Sequence, residues 1–456
     1  MSAVAALAYT YRYPFASDLV PQGAGAGLRL ATSGGAEPCP YFFRGRLEHP
    51  REIADQLLTL ARVVTSRFYL PGAMRQIDPV VTSNDQVLRF EGFSSCCGVY
   101  ARADLSASAF DAELHGRGTT NVDFNASMRA ALGRVREQYR VMLSVGADEV
   151  ALASGTEQVV EKKVQLPVRW VKGFTEVQAY QAGLELKFEV PAAEARQFVR
   201  SLPRGGGPKT PSWVTPIGRG LRLSQRESKQ AVRVIGTERL RLLEPLIPSC
   251  QSLRVWTDAD SGTSAWEAVF RSGRFLLMIS PEVWRGFSGE GQMLSRLATG
   301  DWEPALPRVR AELAWQARVD ADAIAARSGL GRPQIEAALA VLGARGLVGY
   351  DVTEGAYFHR ELPFDIEAVE SLQPRLKDAR KLVAEGKVRI TQKQGDGDAM
   401  TALVMVQGTE VEHMVRLLPE GDKCTCPWFS KHQGRRGACK HVLAARLAVN
   451  GESADD

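Results

Sequence analysis

Four potential metal ligands near the C-terminus place the strongest constraint on how this chain folds. The tripeptide Cys424-Thr425-Cys426 is followed, after twelve intervening residues, by Cys439-Lys440-His441. Thiolate and imidazole are ligands that zinc favours in a tetrahedral site. Because side chains repeat every two residues along a strand, a C-x-C pair at a strand end directs both sulfurs to one side. The spacing therefore predicts that Cys424, Cys426, Cys439 and His441 bind Zn2+.

The second half of this pattern predicts a helix that starts inside the site. Positions i and i+2 of a helix point about 200° apart, so we expect Cys439 just before a helix and His441 in its first turn. The apolar run at 442–448 supplies that helix. A site with four protein ligands is closed, which is typical of structural zinc. His432, inside the loop, is an alternative ligand that lacks a second ligand at pair spacing.

At these residues the sequence resembles the SWIM zinc-finger family. The family pattern is a C-x-C pair, a variable gap and a C-x-H pair, and the resemblance covers residues 415–450. We expect strands near 387–392, 401–407 and 411–418 before the pattern. These strands and the helix expected after the pattern agree with the family's ββα arrangement. The resemblance implies zinc as the cofactor and a role in binding DNA or proteins, without specifying which.

A wider resemblance extends over most of the chain. Residues 119–125, residues 166–170 with Gly173-Phe174, and residues 284–291 are similar to landmarks of a bacterial group of long SWIM proteins. Proteins of that group tend to be encoded beside MoxR-type AAA+ ATPases and von Willebrand factor A proteins. The resemblance therefore implies an AAA+ ATPase and a von Willebrand factor A protein as partners.

The length of 456 residues is enough for three or four domains. Hydrophobic and charged fractions of 45% and 24% exclude a chain that is disordered or coiled-coil as a whole. The Pro- and Gly-rich segment 202–212 predicts a linker. We expect an α+β multi-domain protein with four parts: a mixed N-terminal α+β region at 1–205, an antiparallel β-meander domain at 213–305, a winged helix-turn-helix at 306–362, and a helix plus C-terminal SWIM zinc-finger module at 363–456.

Hydrophobic periodicity predicts the main elements of these parts. In the N-terminal region it indicates helices at 47–67 and 126–144 and strands at 157–171 and 183–190. Between 306 and 362 three helices precede a hairpin, which is the order of a winged helix-turn-helix. The expected bounds are 308–319, 322–328 and 332–344 for the helices, and 347–352 and 356–360 for the strands.

The finger loop is rich in positive charge, although the net charge of +5 for the whole chain is too small to indicate a nucleic-acid partner. Residues 423–446 include six basic residues and no Asp or Glu. Basic side chains neutralise phosphates, and an exposed aromatic ring stacks on a base. Alternatively, Trp428 and Phe429 pack beneath the finger and the charges are only solvated. The candidate contacts to DNA or RNA are Lys423, Trp428, Lys431, Arg435, Arg436 and Lys440.

The expected recognition helix of the winged helix is a weaker candidate for reading DNA. Arg332 and Gln334 lie near its N-terminus and are its candidate base contacts. The positions that follow include Ala337, Ala340 and Ala344, whereas a helix in the major groove usually presents Arg, Asn, Gln or Ser. We therefore favour protein docking over sequence-specific DNA reading for this unit.

Neither catalysis nor membrane insertion is indicated. The sequence contains no H-E-x-x-H and no G-x-S-x-G pattern, and no apolar run approaches the roughly 18 residues that span a bilayer. Cys96 and Cys97 could supply a nucleophile, but small buried side chains are the favoured interpretation, since no basic residue is adjacent to lower a thiol pKa. The polar segment 118–125 is either a ligand loop or an ordered turn.

Seven cysteines, an odd number with two adjacent, make a poor disulfide framework. Together with an N-terminus that does not resemble a signal peptide, this predicts the reducing cytoplasm. We expect a non-enzymatic, zinc-binding recognition or adaptor protein of a bacterial multi-protein system, with protein partners and with nucleic acid as a further candidate partner. The alternative is a DNA-binding regulator in which the winged helix and the finger act together.

Overall fold

A computed structural model describes most of the chain. The described residues are 10–11, 18–22, 25–31, 43–69, 79–84, 86–121, 124, 126–146, 164–165, 168–204, 210–289, 291, 294, 302–362, 373–395 and 399–451. Their helices are α1 Pro50–Thr65, α2 Ala126–Arg134, α3 Val168–Ala182, α4 Ala192–Ser201, α5 Leu306–Ala311, α6 Ala321–Ser328, α7 Arg332–Ala344, α8 Pro374–Ala384, α9 Pro427–His432 and α10 Lys440–Gly451. None of these helices combines the length and the apolar character that a bilayer crossing needs.

The strands of the described residues form six sheets. They are β1 Thr10–Tyr11, β2 Asp18–Gln22, β3 Gly25–Ala31, β4 Phe43–Leu47, β5 Val80–Ser83, β6 Val87–Phe93, β7 Val99–Ser106, β8 Phe110–His115, β9 Gly118–Asn121, β10 Val141–Gly146, β11 Val164–Gln165, β12 Glu185–Pro191, β13 Ser212–Ile217, β14 Gly220–Ser224, β15 Val232–Val234, β16 Ser252–Asp258, β17 Thr263–Val269, β18 Gly273–Ile279, β19 Val348–Asp351, β20 Ala356–His359, β21 Val388–Gln394, β22 Thr401–Gln407, β23 Glu412–Leu417 and β24 Lys423–Cys424. The sheet orders are β1-β11, β2-β3-β10-β4-β8, β12-β16-β17-β18-β7-β6-β5-β9, β14-β13-β15, β19-β20 and β21-β22-β23-β24.

The eight-stranded antiparallel sheet is the centre of the larger hydrophobic core. The meander predicted after residue 213 is confirmed as β16, β17 and β18. Strand β18 then pairs with β7 from the N-terminal region, with Phe275 opposite Ala103. The predicted boundary between residues 205 and 213 therefore does not separate two sheets, because backbone pairing and one hydrophobic core continue across it. The rest of the predicted division into domains stays a prediction.

Helix α1 covers part of this sheet and confirms the helix predicted at 47–67. Ile53, Leu57, Leu60 and Val64 form a buried stripe at helical spacing, and the helix packs against β6 and β7. Pro50 occupies its first turn, where a missing N–H removes no intrahelical hydrogen bond.

The helix predicted at 126–144 is only half correct. Helix α2 ends at Arg134, and Val141–Gly146 is instead the central strand of the five-stranded sheet. This run of apolar and β-branched residues is enclosed by β3 and β4. Local periodicity does not reveal such a non-local environment, and tertiary context overrides helix propensity.

The strand predicted at 157–171 is wrong at its C-terminal end. Helix α3 begins at Val168 and buries Trp170, Phe174 and Val177, which recur at helical spacing. Residues 157–163 lie outside the described residues. The strand predicted at 183–190 is confirmed as β12.

The helices and the hairpin expected between 306 and 362 are present, with a shorter first helix. Helix α6 begins after Asp320, whose carboxylate accepts hydrogen bonds from the backbone N–H groups of Asp322 and Ala323 at 3.0 Å each. It ends at Gly329, where a φ of +70° favours glycine. Helix α7 has the predicted bounds. Strands β19 and β20 pair as an antiparallel hairpin, the 348–359 hairpin.

Buried charges join the 348–359 hairpin to the eight-stranded sheet. Asp351 accepts hydrogen bonds from Arg89 at 2.7 Å and Arg274 at 3.0 Å, and Arg102 lies 3.5 Å from its other oxygen. Asp104 pairs with Arg89 and Arg102 at 3.2 and 2.9 Å. Apart from Arg274, none of these side chains is more than 3% exposed. These five residues are the arginine–aspartate cluster.

The cluster keeps the Asp351 carboxylate ionised although it is buried. Burial by itself would raise the pKa of Asp351, but Arg102, Arg89 and Arg274 lower it well below its usual range. A carboxylate that leaves water requires such partners. Phe358 of the same hairpin adds a cation–π contact, because the Arg89 guanidinium lies 3.9 Å from its ring centre.

Helix α7 is mostly buried from Ala338 to its C-terminal end. Ile335, Leu339 and Leu342 are among its fully enclosed side chains. The helix packs against α3, α5 and α6, and a Cβ atom at Gly343 would lie 3.5 Å from the side chain of Gln178 on α3. Most of α7 is therefore covered by neighbouring elements.

Replacing Asp351 with asparagine is expected to destabilise the protein by about 3–5 kcal/mol at neutral pH, because the buried Arg89 and Arg102 and the partly buried Arg274 lose a counter-charge. Since the folded pKa of Asp351 is lowered, its contribution is fully present above the unfolded pKa of about 3.9 and is lost as the pH falls below that value. Urea denaturation of the parent and Asp351→Asn across that pH range measures both effects.

The matched control for this measurement is an exposed ion pair. Arg332→Ala removes contacts of Arg332 with Asp322 and Glu336 and is expected to leave the urea midpoint almost unchanged, since exposed pairs contribute little. An Asp351→Asn variant as stable as the parent at neutral pH would contradict the role of the arginine–aspartate cluster.

Candidate metal centre

The four predicted metal ligands come from consecutive elements near the C-terminus. Cys424 ends β24, and Cys426 is the N-cap residue of α9. Cys439 directly precedes α10, and His441 lies in the first turn of that helix, as predicted. Helix α10 packs across β21, β22 and β23. This packing places the second pair of ligands beside the first.

The ligand atoms converge on one small volume. The three sulfurs and one ring nitrogen of His441 all lie within 4.8 Å of one another, and Nδ1 of His441 is 4.0 Å from Sγ of Cys424. In a tetrahedral site, zinc–sulfur bonds of about 2.3 Å separate neighbouring ligand atoms by about 3.8 Å. All four side chains are buried. The donor types, their spacing and their burial fit Zn2+.

Backbone N–H groups are directed at each of the three sulfurs. The N–H of Cys426 donates to Sγ of Cys424 at 3.4 Å, and the N–H of Phe429 donates to Sγ of Cys426 at 3.3 Å. The N–H of Val442 donates to Sγ of Cys439 at 3.5 Å. Hydrogen bonds of this kind favour the thiolate, which is the form that binds zinc.

Three thiols this close together cannot all ionise without a cation. Hydrogen bonds from Cys424 and Cys439 lower the pKa of Cys426, and the bond between Cys426 and Cys424 raises the pKa of Cys424. Cys424 lowers the pKa of Cys439, but Cys426 and burial raise it to about 11. A divalent cation allows all three sulfurs to carry charge at neutral pH.

The surroundings of His441 also favour a cation. Its Nδ1 faces the sulfurs, and its Nε2 is buried without a hydrogen-bond partner among the described residues. The ring of His413 lies 4.4 Å from the ring of His441. Burial lowers the pKa of His413, which favours its neutral imidazole.

The alternative ligand, His432, does not belong to this group of four. Its ring packs on Trp428 with the ring centres 4.8 Å apart. Among the described residues, the group that can bind a metal consists of three cysteines and His441.

An ion pair closes the finger beside the metal centre. Arg446 on α10 donates to both oxygens of Asp422 at 2.7 and 2.9 Å. This bidentate contact ties α10 to the turn before β24. One of the six basic residues of the segment therefore has an internal role.

Arg375 of α8 fastens the loop between the two ligand pairs. Its guanidinium donates to the carbonyl oxygens of Arg436 at 2.8 Å and Ala438 at 2.9 Å, and it lies 4.9 Å from the ring centre of Trp428. Trp428 and Phe429 also pack partly against the smaller hydrophobic core. Sequence reasoning missed Arg375, because no local pattern relates it to a carbonyl 61 residues later.

The predicted nucleic-acid contacts of the finger differ in accessibility. Three are exposed: Lys423, Lys431 and Arg435. Three are partly buried: Trp428, Arg436 and Lys440. Because Arg375 lies over the Trp428 ring, that ring is less suited to base stacking than the sequence suggested.

Arg332 and Gln334 lie in the exposed first turn of α7. Arg332 pairs with Asp322 at 2.5 Å and with Glu336 at 2.8 Å. The Gln334 side chain accepts a hydrogen bond from the backbone N–H of Gly331 at 3.1 Å. No hydrogen bond or ion pair within the described structure links either side chain to the finger.

The other candidate sites contain ordinary structural residues where the structure describes them. Cys96 and Cys97 are fully buried, and burial raises the pKa of Cys97, which makes it a poor nucleophile. Gly118–Asn121 is strand β9, which pairs with β5. Residues 122, 123 and 125 of the proposed ligand loop lie outside the described residues.

Comparison with known proteins agrees with the geometry of the metal centre. Residues 412–450 match the SWIM zinc finger. This segment includes all four metal ligands, β23, β24, α9 and most of α10. The zinc-finger part of the predicted resemblance is therefore confirmed, and residues 412–450 are called the finger below.

The remaining comparisons add little. No curated protein matches the chain. Among solved structures, the proliferating cellular nuclear antigen from Entamoeba histolytica aligns with 53% of this chain and 99% of its own, at 8% identity and a TM-score of 0.36. A likeness at this level supports no conclusion about the chain.

Replacing Cys439 with serine is expected to abolish stoichiometric zinc binding, because a serine hydroxyl is not a thiolate ligand. Structural zinc contributes about 10–16 kcal/mol in isolated fingers, so we expect α10 and the finger loop to lose protection from hydrogen exchange. Zinc analysis of the purified protein and hydrogen-exchange mass spectrometry measure the two effects.

Cys250→Ser is the matched control, since Cys250 is a buried cysteine whose thiol donates to the Ile247 carbonyl oxygen, outside the metal centre. This variant is expected to retain one zinc per chain. A Cys439→Ser variant with full zinc content and full protection would contradict the ligand assignment.

Proposed function

We propose that this chain is a non-enzymatic recognition or adaptor protein whose zinc-stabilised finger presents a basic loop to a partner. The closed metal centre carries the proposal, because four buried protein ligands leave no position for a reacting water or substrate. The loop between the ligand pairs contains the exposed residues Lys431 and Arg435. In this proposal the metal shapes a binding surface and does not itself react, and the reducing cytoplasm keeps its thiol ligands available.

The unit at 306–362 is proposed to be a winged helix that serves as an internal scaffold. A DNA-reading helix-turn-helix places its recognition helix in the major groove. Helix α7, in the corresponding position, packs against α3, and the 348–359 hairpin packs on the eight-stranded sheet through Asp351. These contacts support docking within the protein over insertion into DNA.

The alternative function is a DNA-binding regulator that uses the winged helix and the finger together. The exposure of Arg332 and Gln334 favours it. To contact a base, however, Arg332 would have to exchange its ion pairs with Asp322 and Glu336. Loss of sequence preference in an Arg332→Ala variant would favour this function.

Nucleic acid is the first partner to test. The zinc-loaded protein is expected to bind labelled oligonucleotides at low salt, with an affinity that falls steeply as salt rises. Reversing two exposed charges, Lys431→Glu with Arg435→Glu, is expected to weaken binding at least tenfold and to reduce the slope of log K against log salt by about 1.4 on single strands. Fluorescence anisotropy measures both quantities.

The control for the nucleic-acid titration is Arg219→Glu, since Arg219 is an exposed arginine on the turn after β13. This change is expected to have a much smaller effect. The nucleic-acid part of the proposal is wrong if the variant with Lys431→Glu and Arg435→Glu binds as tightly as the parent. It is also wrong if the parent binds no oligonucleotide at low salt. In both cases the protein-partner part of the proposal remains.

Protein partners are proposed to be an AAA+ ATPase of the MoxR type and a von Willebrand factor A protein. The resemblance of residues 119–125, 166–170 and 284–291 to landmarks of a bacterial group supports this choice. We expect at least one such protein to form a complex that survives Lys431→Glu with Arg435→Glu. Size-exclusion chromatography of the purified pairs measures complex formation, and failure of both candidates to bind would contradict the partner assignment.

A further inference from the structure

The finger loop lies near a tight turn of the larger core at residues 281–285. Glu282 and Arg285 form a β-bridge across this turn. Trp284, between them, is 56% exposed. One exposed ring needs no explanation by itself, but cations from two parts of the chain lie near this turn, as described below.

Contacts with buried residues of the larger core hold the turn in place. The N–H of Phe287 donates to the Cys97 carbonyl oxygen at 2.9 Å. A Cβ atom at Gly286 would lie 2.5 Å from that same oxygen, so only glycine fits at this close approach. Trp284 is therefore presented on a fixed part of the core.

Positive charges from the finger, from the turn and from α8 act on His432 of the finger loop. Burial lowers the pKa of His432, and the positive charges of Arg436, Lys431, Arg285 and Arg375 lower it further. Lys431 and Arg436 belong to the finger loop, whereas Arg285 belongs to the turn and Arg375 to α8. The finger and the turn thus contribute positive charge to the same place.

A second pair of cations supports the same arrangement. Arg233 of β15 donates to the Pro281 carbonyl oxygen at 3.2 Å and lies 3.9 Å from Glu282. Burial lowers the pKa of Arg233, Glu282 and Glu227 raise it, and Arg435 of the finger loop lowers it. Arg435 is therefore also close to the turn, with Glu282 and Glu227 as the acidic groups nearby.

Arg375, on helix α8 of the smaller hydrophobic core, lies between the finger loop and the segment after the turn. It donates to the carbonyl oxygens of Arg436 and Ala438 in the loop. The same guanidinium occupies the space that a side chain at Gly291 would need, just beyond the turn. One side chain therefore contacts both the finger loop and the segment that follows Trp284.

We propose that the turn at 281–285 and residues 431–436 of the finger loop form one surface, the composite surface. We propose that this surface binds single-stranded nucleic acid. Its cations bind backbone phosphates, and Trp284 stacks on an unpaired base. The inference rests on the proposed function and adds a part of the binding surface that lies outside the finger. Because Arg375 covers one face of Trp428, Trp284 is the better placed ring for stacking.

Single strands are favoured over a duplex because paired bases do not offer their faces for stacking. The cations of the composite surface bind the phosphates of DNA and of RNA alike, so the test uses DNA and RNA probes separately. The probes are labelled oligothymidine and oligouridine of about twelve nucleotides, and a DNA duplex of equal length. The protein is the full zinc-loaded chain.

Trp284→Ala is expected to weaken binding to the single strands by about 5- to 150-fold, and Trp284→Phe is expected to restore most of the loss because a ring is retained. Arg285→Ala is expected to reduce the slope of log K against log salt by about 0.7. Zinc content and thermal unfolding of each variant show whether the fold is intact. Anisotropy at several salt concentrations measures affinity and slope.

The matched control is Tyr139→Ala, which removes an aromatic side chain that is 48% exposed on the turn before β10. It is expected to leave binding unchanged. Binding that is lost on Lys431→Glu but unaffected by Trp284→Ala and Arg285→Ala would overturn the composite surface and leave the proposed function standing. No binding to any probe at low salt would overturn both the composite surface and the nucleic-acid part of the proposed function. Duplex binding as tight as single-strand binding would overturn the stacking role of Trp284.

Discussion

The arginine–aspartate cluster joins the 348–359 hairpin to the eight-stranded sheet. Its buried charges are tolerated only because each one is paired with opposite charges. Asp351 of the 348–359 hairpin enters a sheet face lined by Arg89, Arg102 and Arg274, with Asp104 among them. Removing such charges from water costs several kcal/mol per ion, which the paired geometry must offset. The charges are paired in this position of the hairpin on the sheet, and a shift of the hairpin would leave buried charges unpaired. The 348–359 hairpin is therefore fixed against the eight-stranded sheet.

The finger depends on a second constraint of the same kind. Three thiolates can occupy one buried volume only around a cation, and the packing of α10 across β21, β22 and β23 places the second ligand pair beside the first. Arg375 contacts the loop between the two ligand pairs through the carbonyl oxygens of Arg436 and Ala438. The metal ligands and Arg375 therefore hold the same segment of chain.

The elements predicted correctly from the sequence are those fixed by contacts between residues that are close together in the chain. The ligand spacing at 424–441 and the periodicity at 332–344 each reflect contacts within a few turns of chain, and both were predicted correctly. Sequence reasoning failed for Val141–Gly146, whose strand state depends on neighbours from distant segments. Arg375 could not be placed beside the finger loop, because its contact with Arg436 spans 61 residues. The exposure of Trp284 likewise depends on non-local packing, because its turn is held against Cys97.

The concentration of like charge between the finger loop and the turn has a thermodynamic consequence. Burial, and after it cations that include Lys431 and Arg285, lower the pKa of His432. Burial and Arg435 lower the pKa of Arg233, whereas Glu282 and Glu227 raise it. In the proposed composite surface, a polyanion bound to these cations reduces the repulsion among them, and by mass action it stabilises the folded state to which it binds. Affinity for the anion and stability of the finger's docked position are therefore linked.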